Sequence, residues 1–83
     1  MKNRTAAQNR YLSRVRETGC LICGNASIAH HLQCFSPRND YGTISLCNEH
    51  HQGAFSIHTT KRAFQAIHGD DMQLLAKQIE AMA

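Results

Sequence analysis

Eighty-three residues carrying a formal charge of +3 leave room for one small domain and exclude a large enclosed core. A chain this short buries only about 60–65% of its unfolded surface, so a staple is expected, and 4 Cys and 6 His are the candidates. No stretch approaches the roughly 20 apolar residues of a membrane span, and the polar, Arg-rich start lacks the apolar region of a secretory signal.

That start points to a cytoplasmic protein, where thiols stay reduced and Cys and His read as metal ligands before they read as disulfides. The expected organisation is a single domain over residues 1–83: a basic N-terminal helix in 1–18, a metal-stapled body in 20–58 and C-terminal helices in 59–83.

In chain order, residues 3–17 are rich in helix formers, with Ala7, Tyr11, Leu12 and Val15 at intervals of three and four, and Gly19 is a natural stop. Cys20 to Gly24 forms a knuckle whose last glycine suits a positive φ. Ile28–Leu32 and Thr43–Leu46 predict two short strands around a polar loop, Gln33 to Gly42. Asn48 is a candidate cap for a short helix interrupted at Gly53. Thr59 or Thr60 caps a second one through Ala63, Phe64 and Ile67 to Gly69. Asp70 or Asp71 caps the last, with Leu74, Leu75, Ile79 and Met82 as its apolar stripe. The predicted class is α+β.

Charge is uneven. Lys2, Arg4, Arg10, Arg14 and Arg16 face a single Glu17 in the first eighteen residues. A basic segment of this kind suits a polyanionic partner, and a solvated helix face accounts for it equally well.

Tetrahedral Zn²⁺ takes thiolate and imidazole, and two-residue spacing lets a tight turn present a pair of them. Cys20-x-x-Cys23 and Cys47-x-x-His50 are two such half-sites. His50 and His51 are adjacent and project about 100° apart on a helix, so one histidine serves this ion and the other is free. The spacing favours His50 as the ligand. Cys34 is expected to be a free thiol.

His30, His31, His51 and His58 remain, with His68 reading as structural beside a helix C-terminus. Neighbours on a strand point to opposite faces, so His30 and His31 divide into two roles. On an unbroken helix His51 and His58 stand ~10.5 Å apart along the axis. A break at Gly53 permits a three-histidine site of His30, His51 and His58.

The series Cys20-x-x-Cys23, Ala29-His30-His31 and Ile44-Ser45-Leu46-Cys47-x-x-His50-His51 resembles the zinc-bearing HNH (His-Me finger) endonucleases. It is most similar to the small phage Ref-like recombination-enhancement nucleases, through His50-His51-Gln52-Gly53-Ala54-Phe55-Ser56-Ile57-His58. The likeness covers roughly residues 18–69. It implies a ββα-metal core with structural Zn²⁺ on Cys20, Cys23, Cys47 and His50. It further implies His31 as general base, with His30 (where many relatives have Asp), His51 and His58 holding one divalent catalytic ion, Zn²⁺, Mn²⁺, Ni²⁺ or Mg²⁺. The Asn usual five residues before the second zinc-site Cys is replaced by Gly42. Asn39 or Asp40 can supply its orienting group, and Asp40 is preferred because a carboxylate fixes an imidazole tautomer.

The function implied is metal-dependent hydrolysis of DNA phosphodiesters with low sequence specificity, in the company of a recombination protein. An unperturbed histidine, with pKa ~6.5, can take a proton from water near pH 7. Arg10, Arg14, Arg38, Lys61 and Arg62 are candidate phosphate contacts. A non-catalytic zinc module that binds nucleic acid or protein, and a hydrolase of another class with a three-histidine centre, stay open as alternatives.

Overall fold

The computed structural model describes residues 4–83 as a small α+β domain: α1 (Ala6–Glu17), β1 (Ile28–His31), β2 (Thr43–Leu46), α2 (Asn48–Gln52), α3 (Lys61–His68) and α4 (Asp71–Met82). Lys2 and the predicted helix start at Asn3 lie outside the described residues.

Helix α1 begins later than its composition suggests because Thr5 closes a capping box. Its hydroxyl accepts from the Gln8 N–H at 3.1 Å, and the Gln8 side chain accepts from the Thr5 N–H at 2.8 Å. Leu12 and Val15 are its buried residues, whereas Ala7 is exposed. Gly19 then turns the chain at φ 81°. In the knuckle the Gly24 N–H donates to the Cys20 carbonyl and the Cys20 N–H to the Asn25 carbonyl, both at 2.8 Å.

The strands pair antiparallel, with His30 opposite Ile44 and His31 opposite Thr43. All four residues of β2 are buried. A two-stranded sheet leaves backbone groups on its outer edges unpaired, a cost when they are buried. Here the edge of β2 away from β1 is served from elsewhere. The Leu21 N–H donates to the Ser45 carbonyl at 3.0 Å, and the Ser45 N–H donates to Gln78 Oε1 at 2.7 Å. Gln78 is fully buried on α4 and takes the place of a third strand.

This overturns part of the predicted apolar stripe. Leu74 is buried and Leu75 packs against the core, but Ile79 is 55% exposed while its neighbour Gln78 faces inward. Ile67 on α3 is likewise exposed, and Phe64 alone of its predicted apolar positions is fully buried. The core gathers Leu32, Ile44, Leu46, Ile57, Phe64 and Leu74 around the buried thiols of Cys20 and Cys47.

Two predicted caps differ. Cys47, not Asn48, is the N-cap of α2, and Asn48 is its first residue, accepting from the Gln52 side chain. Thr60 precedes α3 but makes no side-chain cap. Its hydroxyl is drawn to Ser56, accepting from the Ser56 N–H at 3.0 Å and donating to the Ser56 carbonyl at 3.2 Å. Asp70 caps α4 in a capping box with Gln73. Among the described residues no helix is long and apolar enough to cross a membrane.

Candidate metal and catalytic site

Two clusters are built around the short helix α2 that follows the hairpin. In the first, Cys20 and Cys23 on the knuckle meet Cys47 and His50 at the start of α2, with all four ligand atoms within 4.8 Å of one another. Cys23 Sγ lies 3.7 Å from Cys47 Sγ, and Cys20 Sγ 3.6 Å from His50 Nδ1. A tetrahedron with the usual zinc bond lengths has S···S edges of ~3.8 Å and S···N edges of ~3.6 Å. Burial pushes the Cys20 thiol up, but backbone N–H groups of Cys47, Cys23 and Ile22 outweigh it and bring the thiol down to about 7. Thiolate is the ligating form, and Cys20 is the thiol brought toward it. Cys23 is held above its ordinary value: the Asn25 backbone lowers it, but burial and the neighbouring thiols of Cys47 and Cys20 outweigh that. These residues can hold a metal ion, and the donor set fits zinc.

The adjacent histidines of α2 part as the helix geometry requires. His50 turns to the thiols and His51 to the other cluster, where it joins His30 from β1 and His58 from the segment after α2. Ring centroids of the three imidazoles lie 4.6–5.0 Å apart in edge-to-face array. The chain breaks at Gly53, and the His58 N–H returns to the His51 carbonyl at 3.3 Å. This return overcomes the axial separation that an unbroken helix would impose. His51 Nε2 and His58 Nε2 face each other at 3.0 Å. That approach fits one shared proton or two lone pairs directed at one cation. Burial, reinforced by the neighbouring His51 and His58, lowers His30 to about 4. His51 is lowered too, by burial and then by His58. Neutral imidazole is what a metal ion requires. Buried His51 Nδ1 has no hydrogen-bond partner among the described residues.

His31 points the other way. Its Nε2 lies 2.7 Å from Asp40 Oδ1, and its Nδ1 lies 2.8 Å from a terminal nitrogen of Arg38. A guanidinium can only donate, so Nδ1 accepts and the ring proton sits on Nε2, donating to Asp40. The second carboxylate oxygen of Asp40 accepts from Arg4 Nε at 2.9 Å. His31 and then Arg4 hold the Asp40 carboxyl below its ordinary value. Asn39 is occupied within the loop, its side chain accepting from the Tyr41 N–H, which leaves Asp40 as the partner of His31. Gly42 has no room for a side chain, because a Cβ there would overlap the Phe35 ring.

His30, His31, His51 and His58 line one pocket of about 390 Å³, together with Ala29, Gln33 and Arg38. Lys61 reaches the same region, donating to Gln33 Oε1 at 2.6 Å. The other predicted phosphate contacts lie elsewhere. Arg10 and Arg14 are exposed on α1, where Arg14 donates to the Met82 carbonyl, and Arg62 is exposed on α3. Cys34 is exposed and outside both clusters. His68 packs on Phe64 with ring centroids 4.6 Å apart. In the sequence Arg4 reads only as part of the basic N-terminal segment, since a cation thirty-six positions from its carboxylate leaves no local signal of the pairing.

A family model described as "Protein of unknown function (DUF968)" matches residues 1–83. No curated protein and no solved structure matches the chain.

Proposed function

The chain belongs to that family, and we propose that its activity is metal-dependent endonucleolytic hydrolysis of DNA, with the pocket built on the HNH (ββα-metal) plan. The observation that carries this reading is the opening of two different histidine sets onto one pocket: the cluster His30, His51 and His58, and the tautomerically fixed His31. A zinc module that only binds a partner has use for the four-ligand cluster but none for this second arrangement.

Phosphodiester hydrolysis needs a proton acceptor for the attacking water, neutralisation of the phosphate and help for the leaving 3′-oxygen. His31 Nδ1 is the acceptor. Asp40 stabilises the imidazolium that forms and holds the ring in place. A divalent ion held by His30, His51 and His58 would supply Lewis acidity at the phosphate and charge for the leaving oxygen. Arg38 and Lys61 bring cations to the pocket and contact phosphate without reading sequence. A zinc held by Cys20, Cys23, Cys47 and His50 would tie the knuckle to α2 and so help to hold His51 against His30.

Cleavage of mixed DNA substrates by the wild type and His31→Ala, with Mn²⁺, Ni²⁺, Zn²⁺ or Mg²⁺ supplied in turn, tests the reading. Expected is cutting that depends on the added metal and disappears in His31→Ala, whose zinc content and fold are intact. Imidazole donors favour a transition ion over Mg²⁺, so cutting as strong in Mg²⁺ alone argues against the three-histidine ligand set. No cutting by the wild type with any metal returns the protein to the class of binding modules.

A further inference from the structure

The nitrogen of His31 that would accept water's proton is already occupied. Arg38, exposed on the loop between the strands, reaches into the pocket and donates to Nδ1 at 2.8 Å. A lone pair engaged by a guanidinium cannot at the same time take a proton from water. Removing this contact is therefore a condition for the chemistry proposed above.

The charges around Arg38 say what would remove it. Asp40 is the carboxylate beside His31, and both its oxygens are committed, one to His31 and one to Arg4. Among the described residues the ion pairs are Arg4–Asp40 and His31–Asp40, so Arg38 has no carboxylate partner. Its guanidinium spends a full positive charge on a neutral nitrogen, at the edge of a pocket that otherwise presents imidazoles. A phosphodiester offers that guanidinium a full opposite charge and two oxygens in fork geometry, where His31 offers one neutral lone pair.

We propose that Arg38 is a substrate-released cap on His31: it blocks Nδ1 in the free protein and moves to the phosphodiester when DNA enters, exposing the base only in the loaded site. Arg4 has a supporting part. Its charge on Asp40 Oδ2 offsets part of the carboxylate's charge and so weakens the pull of Asp40 on Arg38. The cap suppresses activation of water in the empty pocket and makes one side chain both phosphate contact and gate. This inference rests on the nuclease reading, because it gives His31 Nδ1 the role of base.

The test follows the side-chain ¹⁵N resonances of His31 in the full chain, zinc-loaded with no second metal added. The probe is a hydrolysis-resistant phosphorothioate thymidine oligonucleotide. In the free wild type, Nδ1 is expected at the position of a hydrogen-bond acceptor, shifting toward that of an unbonded nitrogen as the oligonucleotide saturates. In Arg38→Ala it starts near the unbonded position and moves little. In cleavage assays the loss in Arg38→Ala falls mainly on KM, which rises ~10-fold or more, the worth of one charge-assisted phosphate contact.

A wild-type Nδ1 already unbonded without DNA, or unmoved at saturation, overturns the cap. That result needs only the wild type. If metal-dependent cutting is nevertheless present and lost in His31→Ala, the nuclease reading survives it. If Nδ1 is released by the oligonucleotide yet no metal supports cutting, the nuclease reading fails and the role of Arg38 as a gate fails with it.

Discussion

His31 and Asp40 stand nine residues apart in the chain, on opposite sides of the loop between β1 and β2, and their side chains meet at 2.7 Å. The pair, with Arg38 on the other ring nitrogen, fixes which imidazole nitrogen carries the proton.

Asp40→Asn keeps an acceptor for the His31 N–H but loses the charge that stabilises imidazolium, whereas Asp40→Ala loses both. Partners that orient a functional histidine typically matter by about 10–100-fold. The expected order of DNA cleavage is wild type, then Asp40→Asn, then Asp40→Ala. It is read as kcat at saturating DNA, with circular dichroism confirming the fold. Equal activity in all three would remove Asp40 from the site.

The same carboxylate gives a pH dependence with a definite sign. Its folded-state pKa is depressed, by His31 first and then Arg4. Its contribution to stability is therefore fully present above the unfolded value of ~3.9 and is lost as pH falls through the lower folded value. Urea midpoints of wild type and Asp40→Asn should differ fully above about pH 5 and converge in stronger acid. A gap that widens as pH falls would contradict the pairing.

Gly42→Ala probes how closely the loop packs on the Phe35 ring. The added Cβ overlaps the Phe35 ring, which packs against the core, so the ring must move. Overpacking of this kind costs about 1–3 kcal/mol. Chemical denaturation should show that loss, and Gly42→Asn should not rescue the activity of Asp40→Ala. An unchanged Gly42→Ala would mean that the loop simply yields.

Gln78→Leu leaves the Ser45 N–H without its acceptor on the buried edge of β2. An orphaned buried donor costs about 1–3 kcal/mol. The expected result is a lower urea midpoint with an unchanged slope. A stabilised variant would show that the apolar replacement outweighs the lost hydrogen bond.

Metal removal should do more than any of these. Cys20 and Cys47 are part of the core as well as ligands, and the four-ligand cluster links the knuckle to α2. Structural zinc sites contribute about 10–16 kcal/mol in small domains, comparable with or above the whole stability of one. Chelation, or Cys23→Ser, is expected to abolish the cooperative thermal transition, with metal content measured in parallel. A chelated protein that melts as before would show that the cluster is not a staple.

The sequence by itself determined what is local. Two-residue spacing brought Cys20 beside Cys23 and Cys47 beside His50, and a glycine after His51 marked where α2 ends. The strand alternation separated His30 from His31. Such relations follow from bond geometry within a turn or a pleat, and they were legible because no other part of the chain can change them. Tertiary packing decided the rest. It brought His30 to His51 and His58, placed Arg4 on Asp40, and set Arg38 on Nδ1 of His31. It also turned Gln78 inward in place of Ile79, because β2 needed an acceptor at its bare edge more than α4 needed another apolar side chain. Contacts between separate elements and loops depend on how those elements dock. Polar groups then follow the unpaired partners that docking leaves behind, which no pattern within a single helix or strand records.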